Sequence, residues 1–116
     1  MPSDTAAVPL LLPFIGGRFV ETAARRTLRA PYDGRVLAEV CECGPGELDA
    51  ALRSAERALA TTARLTTDKR AAICAATARG LEAQAERLAI AICDEAGKPI
   101  TDAQAEVVRA RLCFEL

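Results

Sequence analysis

The side chains of this 116-residue chain that could take part in chemistry are cysteines, carboxylates and one lysine beside a glycine. The sequence has no histidine, which excludes a catalytic triad, and no serine lies in a nucleophile-elbow motif. The number of cysteines is odd, and several fall at apolar positions of helical patterns. This usage predicts free thiols in a reducing cytosol.

The cysteines invite two functional interpretations, a soft-metal site and a nucleophile. The spacing Cys41-x-Cys43 could begin a metal site, but no histidine and no second closely spaced pair completes four ligands. We therefore predict small apolar fillers at the end of a strand. Cys74, Cys93 and Cys113 lie away from helix N-termini, where a thiolate gains little stabilisation, so we predict that none is catalytic.

Two carboxylate pairs are candidates for acid–base work, Asp94 with Glu95 and Asp102 with Glu106. Both are predicted on helix surfaces among lysines and arginines. Solvated ion pairing, such as Glu106 with Arg109, is the expected role. The sequence thus predicts no catalytic, cofactor-binding or metal-binding residue in this chain.

Gly97-Lys98 suggests a phosphate-binding loop, but that motif requires glycine at position 92 and serine or threonine at position 99. The chain has Ile92 and Pro99 there, so the motif is not met. A helix C-cap followed by a basic residue near the negative end of the helix explains the same residues. No G-x-G-x-x-G follows a predicted strand.

Charge and hydropathy exclude further classes of protein. Lysine and arginine total 15, aspartate and glutamate total 16, and neither sign forms a patch that would attract nucleic acid. Asp4, Pro9 and Pro13 interrupt the apolar N-terminus, so it does not make a secretory signal, and no apolar run is long enough to span a membrane. We expect a cytoplasmic protein that binds neither nucleic acid nor membranes.

The N-terminal part of the chain predicts short strands. Residues 1–13 form a leader that becomes ordered only on docking, and Phe14–Val20 contains a glycine turn or bulge. A hairpin follows, with strands at Thr27–Ala30 and Arg35–Val40 and a turn at Pro31–Gly34.

Three helices are predicted after the hairpin, which makes the fold class α+β. The first begins at Gly44–Glu47 and ends near Arg64. The second begins at Thr66–Asp68 and runs to Gly97; Gly80 within it suggests a close helix crossing. The third runs from Pro99 to Phe114. The predicted apolar stripes are, in chain order, Leu48, Leu52, Ala55 and Leu59; Ile73, Thr77, Leu81, Ala85, Leu88 and Ile92; and Ala103, Val107, Ala110 and Phe114.

The order of these features resembles the N-terminal segment of the aldehyde dehydrogenase superfamily, over about residues 14 to 114. Arg109-Ala110 and the Pro31–Gly34 turn look most like the branch that contains lactaldehyde, phosphonoacetaldehyde and non-phosphorylating glyceraldehyde-3-phosphate dehydrogenases. The pieces that carry the family resemblance are Phe14–Val20, Ala30–Val36, Glu47–Leu52 with Ala55, Lys69–Ile73, and Asp94–Pro99 followed by Ala103 and Glu106-Val107.

The resemblance implies that residues 14–116 are an incomplete α/β NAD(P)-binding domain. It also implies NAD(P)-dependent oxidation of an aldehyde to a carboxylic acid: a cysteine attacks the carbonyl, hydride leaves to the nicotinamide, and a glutamate helps water hydrolyse the thioester. In the family these residues lie further along a longer chain, and none maps here. The chain alone is therefore expected to be inactive and to hold no cofactor. The implied partners are the rest of the dehydrogenase domain and a small aldehyde, and we expect a homo-oligomer when the protein is complete.

Departures from the family leave alternatives open. Some members bind a monovalent cation near the residues that align with Glu95 and Leu28-Arg29, and Arg29 argues against that site here. Ala30 replaces a common asparagine, and no tryptophan follows Ala60. One alternative is a standalone non-catalytic helical interaction module derived from this scaffold. Another is an unrelated all-helical protein, which requires the ordered matches to be accidental.

Overall fold

The computed structural model describes residues 7–115, and the chain divides into two compact units, Met1–Ala60 and Thr61–Leu116. We call them the strand unit and the helical unit. Across the described residues, five short strands are followed by four α-helices. The α+β class predicted from the sequence is confirmed, although the number of helices differs from the prediction.

The strand unit contains a mixed three-stranded sheet and a separate two-stranded hairpin. The strands are β1 (Leu10–Leu11), β2 (Phe14–Ile15), β3 (Arg18–Phe19), β4 (Arg25–Arg29) and β5 (Val36–Cys41). In the sheet, β5 is central and pairs in parallel with β1 and antiparallel with β4. The hairpin pairs β2 with β3.

Glycines close both predicted turns. Gly16 and Gly17 have φ of 62° and 82°, so the first is a tight turn and not a bulge, and the rings of Phe14 and Phe19 meet edge to face at 5.1 Å across it. In the second turn Gly34 has φ of 74°, and its N–H donates to the Ala30 carbonyl over 2.9 Å. Both are conformations that glycine adopts without a Cβ clash.

The prediction for the leader missed a short strand that docks on the sheet. Residues 1–6 of the leader lie outside the described part of the chain, but Leu10–Leu11 form β1, which had not been predicted as a strand. The Glu39 N–H of β5 donates to the Pro9 carbonyl over 2.9 Å and fixes the strand on the sheet. Two residues are too few to show a strand period, and their partner lies far along the chain.

The predicted long second helix is also wrong, because it breaks at Gln84. This residue has φ of −114° and ψ of 14°, outside helical geometry, and it ends one helix and precedes the next. Both halves pack against the last helix, which one straight helix could not achieve along its whole length. The helices are α1 (Pro45–Thr62), α2 (Thr67–Ala83), α3 (Ala85–Ala96) and α4 (Ile100–Glu115).

The helix starts follow the predicted signals. The Gly44 N–H donates to the Glu47 carboxylate over 2.8 Å at the start of α1, which satisfies a donor that the helix leaves open. Thr66 is the N-cap residue of α2, but its hydroxyl bonds the Asp68 carboxylate instead of the backbone and lowers the pKa of Asp68.

Only small side chains are buried in the described residues. In the helical unit, Ala89, Ala103 and Val107 form the core where α3 meets α4. The close crossing predicted at Gly80 is wrong, because a Cβ there would meet nothing within 4 Å. The buried hydrophobic residues are Ala30, Ala38 and Cys41 in the strand unit and Ala78, Ala89, Ala103 and Val107 in the helical unit.

Several predicted apolar stripes remain uncovered by the described residues. Helix α1 has the predicted period but no buried residue, and Leu48, Leu52 and Leu59 are 56–65% exposed. On α4 the first half of the stripe is buried, whereas Ala110 and Phe114 are exposed. The periodicity therefore marked apolar faces correctly without showing what covers them.

Candidate functional site

The joint between α3 and α4 has the predicted stop and restart. Gly97 lies in the left-handed region with φ of 67°, and its N–H donates to the Cys93 carbonyl over 2.9 Å. The Pro99 carbonyl then accepts from the Ala103 N–H over 3.0 Å and begins α4. Lys98 is held between these two helix ends.

Lys98 forms an ion pair with α4 that the sequence did not predict. Its Nζ donates to the Glu106 carboxylate, and the Arg109 guanidinium lies 3.9 Å from the same oxygen, Oε1. The hydrogen bond from Lys98, with the charges of Lys98 and Arg109, holds the pKa of Glu106 below its ordinary value. The predicted Glu106–Arg109 pair is therefore present, and its contact with the Glu106 carboxylate is longer than that of Lys98.

The two cations and two carboxylates line a small cavity of about 240 Å³, with Asp102 beside Glu106. A carboxylate with a lowered pKa is a weaker base, and each negative charge here is matched by a positive one. This arrangement suits a structural clasp that ties Lys98 of the joint to α4.

The other carboxylate pair lies in the last turn of α3, where Asp94 is half-buried and Glu95 is exposed. In residues 7–115 there is no group of three or more cysteines, aspartates or glutamates placed to hold a metal ion. The prediction that the chain contributes no site residue stays a prediction.

The five cysteines are free thiols. Cys41 is buried at the end of β5, where its Sγ lies 3.7 Å from the Thr22 carbonyl, as expected of a small filler, whereas Cys43 is exposed. Cys74 and Cys113 are exposed, although their helical positions had been predicted as apolar ones, and both line a cavity of about 500 Å³ with Phe114. The sequence carried no signal for this proximity, which depends on how α2 packs on α4.

Comparison with known proteins identifies the family. The model of the aldehyde dehydrogenase family matches residues 19–116. The chain is 38% identical over 85 residues to 4-trimethylaminobutyraldehyde dehydrogenase B of Danio rerio, covering 73% of this chain and 16% of that protein. It is 37% identical over 89 residues to 2-hydroxymuconic semialdehyde dehydrogenase of Pseudomonas sp. (strain CF600), covering 74% and 18%.

A solved structure shows the same fold. The NAD-dependent benzaldehyde dehydrogenase from Corynebacterium glutamicum superposes with a TM-score of 0.87 at 28% identity, covering 95% of this chain and 24% of that chain. The protein belongs to the aldehyde dehydrogenase family, and its structure is an α+β portion of that fold. The branch suggested by Arg109-Ala110 stays a prediction.

The chain spans less than a fifth of the length of the Danio rerio and Pseudomonas relatives. In the part of the chain that the structure describes, no helix has the length and hydropathy of a membrane span.

Proposed function

We propose that this chain is the N-terminal part of an NAD(P)-dependent aldehyde dehydrogenase that oxidises an aldehyde to a carboxylic acid through a cysteine thioester. Within that enzyme, residues 14–116 belong to the NAD(P)-binding domain and residues 1–13 lead into it. The family match over residues 19–116 carries the proposal, since it covers both units. The complete enzyme is proposed to be a cytoplasmic homo-oligomer.

The exposed apolar faces support this role. Leu48, Leu52 and Leu59 follow one face of α1, and Ile73 of α2 and Val108 of α4 are also about half exposed. Large side chains exposed along one helix face are typical of a surface that another part of a protein covers. We propose that the rest of the dehydrogenase domain covers them.

The chain's own residues do not fit a dinucleotide. Gly44-Pro45-Gly46 lies between a strand and a helix, but Asp49 occupies the position of the third glycine of the fingerprint. The Gly44 N–H is already bonded to Glu47, and β5 lies between a parallel and an antiparallel neighbour in a sheet of three. We therefore assign no step of the reaction to this chain and propose that its role is to complete the domain.

Two measurements test the proposal. The purified chain, mixed with NAD or NADP and short aldehydes, is expected to give no NADH or NADPH absorbance; turnover would contradict the proposal. The in-frame gene sequence after the Leu116 codon is expected to encode a cysteine and a glutamate in the order typical of the family.

A second candidate function is a non-catalytic helical interaction module. It is favoured by one observation, that the helical unit forms a core of its own around Ala103. A stop codon directly after Leu116, together with a stable and monodisperse product, would favour the module. Self-association that is relieved by Leu52→Glu, but not by the polar change Thr61→Glu, would favour the enzyme segment with an uncovered α1 face.

A further inference from the structure

A cavity of about 350 Å³ lies within the strand unit, between the β2–β3 hairpin and one face of α1. The turn and the helix approach closely, because a Cβ placed on Gly16 would lie 3.5 Å from the Ser54 hydroxyl oxygen. Glu47, Ser54 and Arg57 are spaced along one face of α1, so the helix presents them to the cavity together.

Two arginines line this cavity from opposite sides, Arg18 from β3 and Arg57 from α1. In the part of the chain that the structure describes, neither guanidinium is paired with a carboxylate. Arg53, one turn before Arg57, differs because it lies 4.0 Å from Asp49. Two unpaired guanidinium groups at one cavity form a receptor for an anion with several oxygens.

The remaining polar groups support the same ligand. Glu47 is the acid at the cavity, where its Oε2 accepts from the Gly44 N–H over 2.8 Å, and its one negative charge is outnumbered by the two guanidinium charges. The first backbone bond of α1 runs from the Leu48 N–H to the Gly44 carbonyl. Gly46 lies at the cavity and precedes Leu48 in the chain, so the Gly46 N–H has no acceptor within the helix.

We propose that this cavity binds a phosphate group, either free phosphate or a small phosphate monoester. The guanidinium groups of Arg18 and Arg57 hold the phosphate oxygens, and the Ser54 hydroxyl and the Gly46 N–H donate further hydrogen bonds. The site goes beyond the proposed dehydrogenase role and does not depend on it, because every group involved belongs to the strand unit.

Equilibrium dialysis of the purified chain against radiolabelled inorganic phosphate, at constant ionic strength, tests the site. Saturable binding of about one phosphate per chain is expected, because Arg18 and Arg57 line the same cavity. Arg18→Gln and Arg57→Gln are each expected to weaken it about tenfold, through loss of a charge-assisted pair. Arg53→Gln is the matched control, since it removes the same charge from the same helix outside the cavity, and its affinity is expected to match that of the unmodified chain.

Three results would overturn the proposal: no saturable binding, equal weakening by Arg53→Gln, or unchanged binding in both cavity variants. Circular dichroism checks that each variant is folded. If Arg57→Gln is not folded, Arg57→Lys replaces it. Arg57→Lys is expected to weaken phosphate binding severalfold, because the planar two-pronged contact is lost. Unchanged binding by Arg57→Lys would also count against the site. Competition by methyl phosphate assigns a monoester as ligand, and failure to compete assigns free phosphate.

Discussion

The two units of this protein are stabilised in different ways. In the strand unit, β5 forms backbone hydrogen bonds on both edges and buries Ala38 and Cys41. In the helical unit, Ala89, Ala103 and Val107 bring α3 and α4 together by side-chain packing. One short chain, without a large fully buried side chain in its described residues, thus combines strand pairing in one unit with close helix contact in the other.

The largest expected effect is on the backbone pairing of the strand unit. Since the Glu39 N–H points to β1, the Val40 N–H points to β4, and Val40→Pro removes that donor from the central strand. A loss of about 3 kcal/mol is expected, because the partner carbonyl is left unpaired and the ring does not fit the ladder. Hydrogen exchange should show lost amide protection in the strand unit alone. Val40→Ala keeps the N–H and is the control; equal loss there would refute the explanation.

The next effect concerns packing in the helical unit. Ala103 is 0% exposed, so Ala103→Leu forces extra methylene groups into the contact between α4 and its neighbours. A destabilisation of about 2 kcal/mol is expected from overpacking, measured by urea unfolding. Ala110→Leu adds the same atoms at an exposed position of the same helix and should leave stability nearly unchanged. Similar effects of the two variants would show that the helical unit is not ordered by close packing.

A smaller pair of effects with opposite signs tests a glycine at a helix end against a glycine inside a helix. Gly97→Ala should destabilise the helical unit by about 1 kcal/mol, because alanine is strained at φ of 67°. Gly80→Ala should stabilise it by up to about 1 kcal/mol, because the added Cβ meets nothing within 4 Å and alanine favours a helix. Thermal unfolding midpoints should move down in the first variant and up in the second; a shared direction would contradict the assigned geometry.

The smallest effect is the pH dependence of the clasp at the joint. Because the pKa of Glu106 is lowered in the folded state, its contribution to stability is present above the pKa of the unfolded carboxyl and is lost as pH falls through the folded value. Lys98→Met should therefore lower the unfolding midpoint at neutral pH and match the parent chain in acid. Lys69→Met is the control, because it removes a lysine charge at an exposed position of α2. If the unfolding midpoints of Lys98→Met and the parent chain still differ in acid, the effect is due to packing and not to the ion pair.

Features with a local physical cause were predictable from the sequence. Gly97 and Pro99 ended and restarted the helix where expected, the Pro31–Gly34 turn joined β4 to β5, and Glu47 began α1. Each depends on the conformational limits or hydrogen bonds of a few neighbouring residues. The family resemblance was predictable for the same reason, since it lay in the order of these local features.

Features that depend on distant partners were not predictable. Gln84 has no side-chain property that stops a helix, and the break there follows from packing both halves on α4. The pairing of β1 with β5 joins residues far apart in the chain. At the candidate site, Lys98 and Glu106 meet only because the chain before α4 turns back along that helix, and Arg18 and Arg57 lie at one cavity only because the hairpin approaches α1.

The alanine core also bears on the order in which the protein folds. Alanine has no rotamers to lose, so burying Ala78, Ala89 and Ala103 carries no side-chain conformational entropy cost. Ala89 and Ala103 join α3 and α4, which are consecutive in sequence, and short-range contacts favour fast folding. The sheet of the strand unit must instead close the loop between β1 and β5 before its pairing is complete. During refolding from denaturant, the pairing of α3 with α4 should therefore precede the pairing of β1 with β5.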